Sequence, residues 1–105
     1  MSEDLASLLR KYEPLGQWKA GELLLGPADA LRLADDLLAI GESIWGVDIW
    51  FYVKGGIAED PGCCDFSGAV GPEWPIERVF SEAKRFIEHR LPPHIDLVSF
   101  VLRNE

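Results

Sequence analysis

A chain of 105 residues that is 48% hydrophobic, with four Trp and five Phe, fits one domain with a substantial core. Such a content is too apolar for a disordered segment. Its 18 acids against 10 bases give a formal net charge of -8, which argues against nucleic acid and anionic membranes, since both need clustered Lys and Arg.

Ser2 followed by Glu3 and Asp4 reads as a helix N-cap with acids in the first turn. Leu5, Leu8 and Leu9 then share a face, Arg10 and Lys11 suit the helix C-terminus, and Pro14 stops a helix of about 2–12. This opening lacks the basic-then-apolar order of a signal peptide, and no run approaches the roughly 20 apolar residues of a membrane span. A cytoplasmic location is therefore expected. Gly16, Gly21 and Gly26 punctuate the next stretch into a turn and a short strand at Glu22 to Leu25. Pro27 opens a second helix to about residue 40, with Leu31, Ala34, Leu37 and Leu38 as its buried stripe, Arg32 placed to pair with Asp36, and Gly41 as its C-terminal cap.

Val47 to Lys54 is β-branched and aromatic and reads as a strand. Alternation puts Val47, Ile49, Phe51 and Val53 on one face and Asp48, Trp50, Tyr52 and Lys54 on the other. Residues 55–75, GGIAEDPGCCDFSGAVGPEWP, read as a long acidic loop. Pro75 starts a third helix with the stripe Ile76, Val79, Phe80, Ala83, Phe86 and Ile87, and Pro92 and Pro93 forbid its continuation past Leu91. Residues 95–103 form a last strand, whose apolar run predicts a central position in the sheet. The expected fold is α+β, a single domain over 1–105 with three helices packed on a small antiparallel or mixed sheet of three to five strands.

Catalytic and metal chemistry find little footing. Cys63 and Cys64 are adjacent, which strains a disulfide between them and suits zinc poorly, because structural zinc sites space their thiols. Nothing in the sequence brings His89 and His94 to them. The acids around Cys64 raise a thiol pKa and so disfavour a Cys nucleophile. No triad order and no phosphate-binding glycine loop is present. No catalytic residue, no metal and no cofactor is expected. Asp48, inside an apolar strand, is expected to be largely buried with backbone amides as donors.

A binding surface remains. From Gly55 to Glu77 there are five acids and no base. Asp48, Trp50, Tyr52, Glu59, Asp60, Asp65, Phe66, Glu73 and Trp74 combine acids, which steer a cationic partner, with aromatics of the kind that anchor interfaces.

The string IWGVDIWF at 44–51 follows a helix and precedes a turn, a variable stretch with Trp74, a helix with Ala83-Lys84 and Phe86-Ile87, and a closing strand from Val98 to Leu102. Over about 27–103 this resembles the Immunity protein 40 family of bacterial polymorphic-toxin systems. Ile44, Gly46, Asp48, Ile49 and Trp50 fall on its Ile-Leu-Gly-Gly-Asp-Val-Tyr-like strand, with Val47 at the second Gly and Trp50 at the Tyr. The resemblance implies no catalytic residues and a protein that neutralises a cognate toxin by direct binding. The acids would pair with a basic toxin or mimic substrate phosphates, and Trp50 and Trp74 would anchor it. The alternative is a small-ligand-binding or regulatory domain whose aromatic strand face lines a pocket.

Overall fold

The computed structural model describes residues 2–66 and 74–103. Three helices and two antiparallel sheets make an α+β domain. Helix α1 spans Glu3–Tyr12. The Ser2 hydroxyl accepts the Leu5 N–H at 3.1 Å and donates to Glu42 Oε1 at 3.1 Å, so the cap also fastens the helix to the segment after α2. A 3₁₀ turn at Glu13–Leu15 takes up Pro14. A hairpin follows, strands β1 (Gln17–Lys19) and β2 (Glu22–Leu24), where only one short strand is expected from the sequence. Its turn places Ala20 and Gly21 in the left-handed region, at φ +52° and +80°. Helix α2, Pro27–Ala39, ends at Gly41 with φ +78°, the conformation a C-terminal cap requires.

Strand β3 spans Ile44–Val53, strand β4 Gly56–Asp65, helix α3 Ile76–His89 and strand β5 Leu97–Leu102. The three-stranded sheet has the order β4-β3-β5, all antiparallel. Two sequence expectations fail here. Residues Gly56–Asp65 of the supposed acidic loop are a strand, paired with β3 from Val53↔Gly56 to Gly46↔Asp65. They escape recognition because Pro61 and Gly62 break the pattern. The register jumps from Ile49↔Asp60 to Val47↔Cys64, so Asp48 alone faces Pro61, Gly62 and Cys63. This bulge absorbs the proline, which has no N–H for a ladder. The second failure is β5, which flanks central β3 instead of occupying the centre. On its other side Leu25 and Val98 exchange two backbone bonds, at 2.9 and 2.8 Å, and tie the β1–β2 hairpin to β5.

All three helices contribute to one core with Val47, Ile49, Val98 and Phe100, so they cover one face of the sheet. That explains the apolar run of β5. Val98 and Phe100 meet the helices, while Leu97 turns to the other face and packs with Leu24, Trp50 and Ile57. Tyr12, buried on α1, donates its hydroxyl to Asp36 Oδ2 of α2 at 2.6 Å. Asp36 also meets Lys11, whereas Arg32 pairs with Asp29, so the expected Arg32–Asp36 pair is replaced.

Candidate functional site

The face turned away from the helices holds the chemistry. Trp50 lies at its centre, 3% exposed, with its indole N–H donating to Ser99 Oγ at 2.9 Å. The fully buried Ser99 hydroxyl donates in turn to Glu22 Oε1 at 2.6 Å. Ser99 is the cross-strand partner of Asp48, and Glu59 is that of Trp50. Asp48 and Glu59 are also close enough for their charges to act on Glu22. Three strands and the hairpin thus deliver Glu22, Asp48 and Glu59 to one place around a Trp–Ser relay.

Electrostatics follow from this grouping. Burial pushes the Glu22 carboxyl up to about 7, helped by the neighbouring Asp48 and Glu59 carboxyls, while the Ser99 donor opposes the rise. Burial, then Asp48, also raises Glu59. Cys63 opens onto the same face beside the bulge. Its thiol is raised by burial first and by Asp48 and Asp65 after it. Cys64 points into the helix-side core, its thiol raised chiefly by burial, with Arg90 opposing. Both cysteines are free thiols. Neither has the lowered pKa of a thiolate nucleophile. Among the described residues no group of three or more His, Cys, Asp or Glu is arranged to hold a metal ion, and no helix is long and apolar enough to cross a membrane.

The residues expected to form one binding surface separate. Asp48, Tyr52, Glu59 and Asp65 stay together, since each occupies an alternate position on the face away from the helices. Asp48 is half-buried, where largely buried placement is expected. Tyr52 is 57% exposed, and its backbone N–H is held by Asp96 Oδ2 at 2.8 Å. Trp50 is a correction. It is buried by Leu24, Leu97 and Ile57 and offers a partner no ring to anchor on. Phe66 is another, buried in the helix-side core with its N–H donated to the Trp45 carbonyl at 2.7 Å. Trp74 is half-buried against Phe66, with the Arg78 guanidinium 3.9 Å over its ring. Asp60 lies opposite Ile49 and is structural. It accepts the Gly62 N–H at 2.8 Å within the bulge and pairs with His94 at 2.7 Å, and these two bonds hold its carboxyl below the usual range. Glu73 lies outside the described residues.

Glu22 and Ser99 are the residues sequence reasoning misses. Ser99 carries a signal, as the lone polar residue in LVSFVL, where a buried hydroxyl must find partners. Glu22 carries none, because a glutamate starting a short strand is ordinary. A second feature is an apolar cavity of about 260 Å³ between the hairpin and the helices, walled by Trp18, Leu23, Leu9, Leu33, Phe100 and Leu102. No protein-family model, curated protein or solved structure matches the chain.

Proposed function

We propose that this is a non-catalytic, immunity-type binding protein that neutralises a basic bacterial toxin in the cytoplasm through the acidic sheet face. The observation that carries the reading is the gathering of Glu22, Asp48 and Glu59 on one face, continued by Asp65 toward the end of β4. Burial and the neighbouring carboxylates raise the pKa of Glu22 and of Glu59, so these two are ionised at a cost. A Lys or Arg from a partner relieves that cost and pairs with the carboxylates. Acids there also speed encounter with a cationic surface. Exposed Tyr52 supplies apolar contact on the same face. The resemblance of residues 44–51, Trp74 and the last helix and strand to the Immunity protein 40 family supports the toxin as the class of partner.

The test is growth protection and binding. A toxin gene adjacent to this one is expressed with and without the chain, and association is followed by stopped flow across salt concentrations. The double variant Glu59→Gln/Asp65→Asn is expected to slow association and flatten its salt dependence. Binding and protection equal to the parent at every salt concentration would sink the proposal. The apolar cavity favours a second reading, a small-ligand domain. Under it a small apolar molecule binds between Trp18 and Phe100, and no protein partner is recovered.

A further inference from the structure

The cavity beside the hairpin exists because a ladder stops. Leu25 and Val98 exchange two backbone bonds, at 2.9 and 2.8 Å, and among the described residues this bridge between the hairpin and β5 stands alone. In that antiparallel register the next pair to face each other is Leu23 and Phe100. Both line the cavity instead. Backbone direction alternates along a strand, so the N–H and C=O groups of Leu23 and Phe100 point into the gap as those of Leu25 and Val98 point at each other. The gap thus has peptide groups along its edges and apolar side chains over its faces.

Trp18 and Leu23 are cross-strand partners and share one face of the hairpin. That face meets Leu9 of α1 and Leu33 of α2 across about 260 Å³. Leu9, Leu23, Leu33 and Phe100 are buried, whereas Trp18 is 48% exposed and marks the way in. We propose that this cavity is a binding site for an uncharged bicyclic heteroaromatic molecule that carries a ring N–H. The site rests on the small-ligand reading above and holds whether or not a toxin is also bound, since the acidic face lies on the other side of the sheet.

Size, shape and charge each narrow the ligand. A dry apolar cavity of about 150 Å³ holds benzene, so 260 Å³ has room for about ten non-hydrogen atoms, the size of two fused rings. Trp18 and Phe100 on the walls favour an aromatic occupant, because ring pairs add to what burial alone supplies. A ring N–H matches the backbone carbonyls that face the gap, where a buried acceptor without a donor is costly. Glu22 is the one ionisable residue on the wall, and no Lys, Arg or His accompanies it, so an anionic ligand meets repulsion and no counter-ion. The Glu22 carboxyl is engaged by Ser99 at 2.6 Å on the face away from the helices, so a cation gains little inside the cavity.

Titration of the isotope-labelled whole chain with indole, followed by amide NMR, tests this. Saturable shifts are expected at the Leu23 and Phe100 amides and the Trp18 ring, and not at Tyr52 or Glu59 on the acidic face. Benzothiophene, which has nearly the same shape with sulfur in place of the N–H, should bind about fivefold more weakly, the worth of one hydrogen bond. Indole carboxylate should bind more weakly still, and tighter binding of it than of indole overturns the uncharged class. Benzothiophene binding as tightly as indole overturns the ring N–H and leaves the small-ligand reading standing, whereas no saturable shift with either molecule sinks both. Leu33→Phe fills the cavity from α2 and should abolish indole binding, and undiminished binding in the folded variant overturns the site. Should that variant not fold, Trp18→Ala replaces it. Indole binding is then expected to weaken about tenfold, and binding as tight as the parent's overturns the proposal.

Discussion

Replacing Ser99 by Ala removes one oxygen from the centre of the acidic face. The side chain is fully buried, and the two are nearly the same shape, so no appreciable cavity is created. What is lost is the acceptor of the Trp50 N–H at 2.9 Å and the donor to Glu22 at 2.6 Å. The first loss leaves a donor of a ring only 3% exposed without a partner, a desolvation cost of about 1–3 kcal/mol. The second is milder, because the Glu22 carboxyl is half exposed and water replaces the hydroxyl. A total of about 2 kcal/mol is expected. Urea unfolding reads this directly. With a slope of about 1.5 kcal/mol per molar for a domain of this size, the midpoint should drop by about 1.3 M. A second signature separates the relay from general damage. Ser99 favours the ionised form of Glu22, so carboxyl NMR should place the Glu22 midpoint above its parental value in the variant. A midpoint drop under about 0.3 M, with Glu22 titrating as in the parent, would refute the relay.

Tyr12→Phe should cost about 1–2 kcal/mol in thermal unfolding, since it removes the 2.6 Å bond that pins α1 to α2. Burial and Asp36 push the Tyr12 hydroxyl from 10.0 up to about 12, so its contribution is present below about pH 10 and lost as pH rises toward about 12. Alkaline unfolding of the parent should show that loss, and the Phe variant should not. Gly46→Ala places a Cβ 2.5 Å from the Cys64 carbonyl oxygen, a clash with backbone that cannot give way easily. It should destabilise by more than about 2 kcal/mol in urea unfolding and shift the amide resonances of Cys64 and Asp65. Ala20→Asn suits the left-handed turn at φ +52° and should raise stability by about 0.5 kcal/mol, or about 2–4 °C in melting temperature.

The helices were legible because their signals are local. Ser2 before Glu3 and Asp4, Pro27 at a first helical position, Gly41 after a last turn and apolar residues three and four apart all act within a few residues. Strand β4 was illegible for the opposite reason. Gly62, Pro61 and its acids have little tendency to extend on their own, and pairing with β3 imposes the strand. The two residues least suited to a ladder fall in the bulge, a register event that only the partner strand defines. Trp50 shows the same limit. Alternation correctly puts it on the face away from the helices, yet its cover comes from Leu24, Leu97 and Ile57 on three other strands. An aromatic on that face looks exposed until its neighbours are known.

The site was legible as two separate anomalies and not as a place. Asp48 interrupts one apolar strand and Ser99 another, and each by itself asks for a hydrogen-bond partner. They are direct cross-strand neighbours, so register alone joins them. Glu22 then completes the group from a hairpin whose only link in the sequence is its distance from everything else. This gathering is what a function has to explain. Solubility is served equally well by carboxylates spread over a surface, at no electrostatic cost. Placing Glu22 and Glu59 around Asp48, beside a buried Trp, raises both their pKa values and makes ionisation harder. Protection of the β4 edge against pairing with another chain accounts for charges along that strand. It does not account for Glu22, which lies beyond the opposite side of the sheet and reaches Ser99 of β5, the cross-strand partner of Asp48. A cation from a partner answers that repulsion.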